Sequence, residues 1–278
     1  IVDHNISNYP TIEASIFVND VDNNIINSLS KANFTITDNS NSLLIDDYLC
    51  PNQNPYSNIS LCLMYDLALN NYSGNNTNFI KAKQLGINLL RLLKTNKFEC
   101  AVSSFDSYSY LNYDFSGDTT SIINIINSLE SKRGSDIDRG FLAYYTGSID
   151  ITKGGKFNKT IILFTDGNVN VNLDSIVSMA NKNNIKVFCV SFSNKISDNL
   201  KKVCEYTSGK WFENVTSNQK IESIAKVLMN YIYNYLPCKM TWQTPLNCDS
   251  IHNVRISIPE YNNIYSEFTY EILEGKKP

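Results

Sequence analysis

The 278 residues carry a net charge of −3 with a pI near 5.5, and 42% are apolar against 18% charged. That balance excludes wholesale disorder and gives no electrostatic footprint for nucleic acid or acidic lipid. No stretch approaches the roughly 18 consecutive apolar residues of a membrane-spanning helix. The length suits one large domain plus a small one. The chain opens without Met or a signal peptide, which reads as a mature or trimmed product.

In chain order, residues 1–49 offer short strand-like segments at Thr11–Val18 and Asn33–Thr37, with a turn at Asp22-Asn23-Asn24 between them. From Ile59 to Tyr235 the pattern changes. Apolar runs at Ile59–Tyr65, Phe98–Ser104, Thr160–Thr165, Ile185–Phe192 and Lys210–Glu213 read as strands buried on both faces. Ser107–Tyr113 alternates aromatic and polar residues, as an edge strand does.

Helical stripes fall between these runs. Ala82, Leu85, Leu89, Leu92 and Leu93 share one face; so do Leu173, Ile176, Val177 and Ala180; and so do Ile221, Ile224, Ala225, Leu228 and Ile232. A shorter stripe joins Ile122, Ile125, Ile126 and Leu129. Strands separated by such helices predict a doubly wound, mostly parallel α/β sheet with helices on both faces. After Pro237 the chain returns to strand-like segments at Lys239–Gln243, Asn253–Ile258 and Glu267–Leu273. We therefore expect a small β-sandwich built from residues 1–49 and 237–278, with an α/β domain at 50–236 between its halves.

The seven cysteines divide by context. Cys62, Cys100 and Cys189 lie in apolar runs, where a thiol behaves as a small hydrophobe. Cys50, Cys204, Cys238 and Cys248 lie in polar or Pro-flanked surroundings, and four cysteines allow three connectivities. The expected bridge is Cys238 to Cys248 across a hairpin-like segment, leaving Cys50 to Cys204. Paired surface cysteines favour an oxidising compartment; the competing arrangement is seven free thiols.

Enzyme chemistry finds little support. The two histidines, His4 and His252, both lie in the flanks, so neither a Ser/His/Asp arrangement nor a histidine-based zinc cluster is available near the α/β block. Gly154-Gly155-Lys156 lacks the spacing of a phosphate loop and reads as a surface turn. What does stand out is that two apolar runs each end in a carboxylate, Asp66 and Asp166, as at the ligand-binding edge of an open α/β sheet.

In this order, residues 59–235 resemble a von Willebrand factor type A domain. The resemblance rests on the first strand ending in Asp66, on Ala101-Val102-Ser103-Ser104-Phe105-Asp106-Ser107, and on Arg133-Gly134-Ser135-Asp136-Ile137-Asp138-Arg139-Gly140. It rests also on Leu163-Phe164-Thr165-Asp166-Gly167 and Thr207-Ser208-Gly209-Lys210-Trp211-Phe212. It implies a metal-ion-dependent adhesion site at Asp66, Ala68, Asn70, Ser135 and Asp166, with Mg²⁺ or Ca²⁺ as the ion. Ala68 supplies no oxygen, and the Asn70 carboxamide stands on a longer side chain than the family's Ser. Mg²⁺ tolerates such changes poorly and Ca²⁺ better. The competing reading keeps Asp66 and Asp166 as structural acceptors for loop N–H groups.

The resemblance implies a non-enzymatic adhesion or protein-binding module, extracellular or at the cell surface. Its binding face would comprise Asp66, Ala68, Asn70, Ser135, Asp136, Asp166, Gly167 and Asn168. The partner would be a protein of the extracellular matrix, the cell surface or an assembly. The alternative is a structural subunit of a surface or secretion assembly with a vestigial metal site.

Overall fold

The computed structural model describes residues 1–69, 77–93, 98–167, 169–244, 251–261 and 264–272. The N-terminal flank gives β1 (Asp3–Asn5), β2 (Thr11–Ile16), β3 (Thr35–Asp38), β4 (Asn41–Leu43) and β5 (Ile45–Leu49). The central segment runs β6 (Ile59–Asp66), α1 (Thr77–Leu92), β7 (Phe98–Phe105), β8 (Ser109–Ser116), α2 (Thr119–Ser128), α3 (Ile137–Leu142), α4 (Ser148–Lys153) and β9 (Asn158–Thr165). It continues through α5 (Leu173–Lys182), β10 (Ile185–Ser191), α6 (Asp198–Tyr206), β11 (Trp211–Phe212) and α7 (Asn218–Ile232). The C-terminal flank adds β12 (Cys238–Gln243), β13 (Ile251–Ile258) and β14 (Ile264–Glu271). Two compact units result, one from residues 1–54 and 235–278, the other from 55–234.

The larger unit holds a six-stranded sheet in the order β11-β10-β9-β6-β7-β8, parallel except for β8, which runs antiparallel to β7. Each central strand feeds two cores because alternate residues face opposite ways. From β6, Leu61, Leu63 and Tyr65 enter a core with α1, α2 and α7, while Cys62 and Met64 enter one with α3, α4, α5 and α6. The helix starts are written into the sequence: Asp118, Asp136, Asn172, Ser197 and Ser217 each accept a backbone N–H in the first turn of the following helix. The chain passes from β6 to β7 on one side and later returns to β9 on the other. The carboxyl ends of β6 and β9 therefore flank the crevice where such sheets bind ligands.

The smaller unit consists of two antiparallel sheets, β1-β2-β12-β5 and β14-β13-β3-β4. Each pairs strands from both ends of the chain, β2 with β12 and β3 with β13. β2 buries every second residue. Its Ile12, Ala14 and Ile16, with Met240 and Trp242, close one core with Ile36, Val254, Ile256 and Ile258 of the other sheet. His252 is fully buried there, with Nδ1 2.7 Å from Asp38 Oδ2 and its ring stacked on Tyr270.

The disulfide corrects the expected pairing. Cys50 bonds to Cys238, not Cys238 to Cys248, and Cys204 is a buried free thiol instead of a surface partner for Cys50. The reason lies in register: β5 and β12 are antiparallel with Leu49 opposite Lys239, which brings the next residue of one strand against the preceding residue of the other. Cys204 lies on the apolar face of α6, a helix whose polar composition hid that face. Cys248 lies outside the described residues.

Candidate functional site

Asp66 closes β6 and is 1% exposed. Its Oδ1 accepts the Ala68 N–H at 2.9 Å, and its Oδ2 accepts Ser135 Oγ–H at 2.9 Å and Thr165 Oγ–H at 3.0 Å. One carboxylate thus ties the ends of β6 and β9 to the loop before α3. Backbone bonds stitch the same region: Leu67 N–H to Phe105 O, Lys132 N–H to Leu67 O, and Asp136 N–H to Asp106 O. Burial pushes the Asp66 carboxyl up to about 6; its three donors pull the other way and the Asp166 charge adds to the push.

Around this hub, Asp136 caps α3 through the Arg139 N–H at 2.9 Å and pairs with the Arg139 side chain at 3.5 Å. The Asp166 carbonyl accepts from Ser191 Oγ at 2.9 Å and from Ser193 Oγ. Gly167 follows at φ +76°, a conformation most side chains resist, and an added Cβ would also meet Ile196 at 2.9 Å. Ala68 is half-buried and offers only a methyl group. Asn70 and Asn168 lie outside the described residues.

Sequence reasoning passed over five contributors. Thr165 bonds Asp66 directly, and the Thr-Asp pair ending β9 was the available signal. Asp106, 6% exposed, gathers Tyr110 Oη at 3.0 Å and Lys132 Nζ at 3.6 Å. Tyr108, Tyr144 and Tyr145 are all more than half exposed, and Arg139 stacks over Tyr108 at 5.4 Å. Exposed aromatics beside an Arg are the composition of binding hot spots, but nothing in periodicity distinguishes them from core tyrosines.

A divalent ion in this place needs six to eight oxygens for Ca²⁺, or a near-octahedral set for Mg²⁺. Ala68 removes one oxygen, whereas the Ser135 hydroxyl, which donates its proton to Asp66, keeps its lone pairs. Among the described residues no group of three or more His, Cys, Asp or Glu side chains is arranged to hold an ion. These residues do not fit the ion that the family implies.

An open α/β sheet with helices on both faces and a buried carboxylate at its crevice is the architecture of an α/β domain that binds its ligand at the carboxyl edge. The family model "von Willebrand factor type A domain" matches residues 72–227, more than half of the chain, and the chain belongs to that family. The match begins after Asp66 and Ala68. A von Willebrand factor type A protein from Catenulispora acidiphila aligns with a TM-score of 0.53 at 10% identity, over 90% of this chain and 76% of that one. Proximal thread matrix protein 1 from the mussel byssus aligns at 0.52 and 12% identity, over 71% of this chain and 51% of its own, so the present chain spans about half its length. A second form of the byssus protein, with a zinc-occupied MIDAS motif, aligns at 0.51 and 12%. At these identities the likeness establishes the fold. Comparison with curated protein sequences gives no match. Domains of this family are generally modules for protein interaction, and no helix among the described residues is long and apolar enough to cross a membrane.

Proposed function

We propose that the chain is a non-enzymatic protein-binding module, secreted or displayed at a cell surface, that presents the loops at the carboxyl edge of its sheet to a protein partner without an ion. The observation that carries this reading is the Asp66 carboxylate, whose hydrogen bonds to Ala68, Ser135 and Thr165 take the place of ion ligation. Those bonds fix three loops relative to one another, so a partner meets a preformed surface and less ordering entropy is lost on binding. Asp136, Asp166 and Gly167 border that surface, with Tyr108 and Arg139 beside it. The Cys50–Cys238 bridge supports an oxidising location.

The test is binding to candidate matrix and cell-surface proteins with and without EDTA. Binding that survives the chelator and falls with Arg139→Glu or Tyr108→Ala supports the reading; binding abolished by EDTA sinks its ion-free part. A second reading, a structural subunit of a surface or secretion assembly, draws on the same loss of the metal loop. Self-association of the purified chain, with those variants without effect on it, would favour the second.

A further inference from the structure

Beside the Asp66 loop, between β7, β8 and the end of α2, lies a cleft of about 280 Å³. Ser104, 2% exposed, faces it with an Oγ that has no hydrogen-bond partner. Asn112 Oδ1, on the same wall, is a second buried oxygen without a partner. Buried polar atoms are nearly always paired, because an unmade bond leaves the desolvation cost uncompensated. Two unpartnered oxygens on residues that line one cleft, one from each of two strands, leave room for a ligand to pair them.

The backbone explains how Asn112 comes to be there. β8 pairs with β7 with Tyr113 opposite Val102 and Leu111 opposite Ser103, so Asn112 is an extra residue where the register breaks. A bulge of this kind re-aims a side chain and is favoured next to binding sites.

The charges around the cleft cancel. Lys132 is held 3.6 Å from Asp106 and lies over the Tyr110 ring, while Glu130 at the rim attracts Lys83. A charged ligand would lose its hydration without a net counter-charge. An uncharged group carrying a donor and an acceptor side by side suits the two oxygens. Leu67, Ile125 and Leu129 supply an apolar wall for a short stem. The volume is at the small end of ligand pockets.

We infer that this cleft binds a primary carboxamide on a short apolar stem. The amide N–H donates to Asn112 Oδ1, and its carbonyl accepts the Ser104 Oγ–H. The group arrives either as a glutamine side chain of a peptide or as a free small amide. The cleft shares Leu67 and Lys132 with the region around Asp66, but the inference does not rest on the protein-binding reading and is tested with small probes.

The experiment is amide-shift NMR of the full chain titrated with butyramide, and in parallel with butyrate and butylamine. Butyramide is expected to bind saturably in the millimolar range and to shift Ser104, Asn112, Leu129 and Lys132. Ser104→Ala and Asn112→Ala should each weaken it by about tenfold, the size of one hydrogen bond left unmade. Ser104→Ala removes an unpartnered hydroxyl and leaves the melting temperature unchanged, so a loss of binding there is not a loss of fold. A blocked Gly-Gln-Gly peptide, compared with Gly-Ala-Gly, separates the two sources of the amide. Butyrate or butylamine binding as tightly as butyramide, shifts outside the cleft, or no saturable shift would each overturn the proposal.

Discussion

Ser135 Oγ donates to Asp66 Oδ2 at 2.9 Å, joining positions 69 residues apart in the chain. The same carboxylate oxygen also accepts the Thr165 Oγ–H at 3.0 Å. Ser135→Ala and Thr165→Val should therefore each destabilise the larger unit by roughly 1–3 kcal/mol, since each strips a donor from a buried carboxylate. Denaturant unfolding of the two variants, and of the pair, checks this. Additive losses with no local change in hydrogen exchange would contradict a shared hub.

The pH dependence has a definite sign. Burial raises the folded carboxyl of Asp66 from 3.8 to about 6, so the native state holds its proton more tightly than the unfolded chain does. This group's contribution to stability is then fully present below pH 4 and is lost as pH rises through about 6. The magnitude is on the order of 2–3 kcal/mol. Asp66→Asn, which keeps an acceptor for the Ala68 N–H and removes the charge, should abolish that slope. An unchanged slope in the variant would place the effect elsewhere.

The fold was legible in periodicity, and the site only in part. Unbroken apolar runs such as Ile161–Phe164, alternating with helical stripes, are the mark of strands buried on both faces of a parallel sheet, and the Asp66 and Asp166 ends of β6 and β9 follow from those runs. The short β1, β4 and β5 escaped notice because Asp3-His4-Asn5, Asn41-Ser42-Leu43 and Ile45-Asp46-Asp47 have no alternation of their own; they are strands because β2, β3 and β12 pair with them. The disulfide was missed for the same reason, since β5 had to be known before Cys50 could be set against Cys238. Of the side chains that meet Asp66, Ser135 was legible through the family resemblance, whereas Thr165 is a long-range contact that composition cannot reveal.

Thiol chemistry separates the cysteines. Cys62, Cys100, Cys189 and Cys204 are buried and free, and burial pushes the Cys62 thiol up to about 11. None of the four should react with a thiol reagent until the larger unit unfolds. Cys50→Ser should expose Cys238 as a new thiol and lower the stability of the smaller unit by about 2–4 kcal/mol. Rapid labelling of Cys204 in the native protein would contradict its placement against the sheet.

Gly140 is required by close packing of α3 on the sheet. A Cβ added there would lie 2.5 Å from Met64 Cε and 2.8 Å from the Phe105 ring. Gly140→Ala should cost about 1–3 kcal/mol by overpacking, despite the better helix propensity of Ala. A neutral or stabilising result in thermal unfolding would mean that α3 is looser than this packing requires.

The central claim is that Asp66 holds three loops by hydrogen bonds in place of an ion. Thermal unfolding with EDTA, and then with saturating Mg²⁺, Mn²⁺ or Ca²⁺, tests it most directly, because an ion bound only by the folded state must raise the melting temperature. One melting temperature is expected in all four conditions. A saturable rise with one of the ions that vanishes in Asp66→Asn would contradict it.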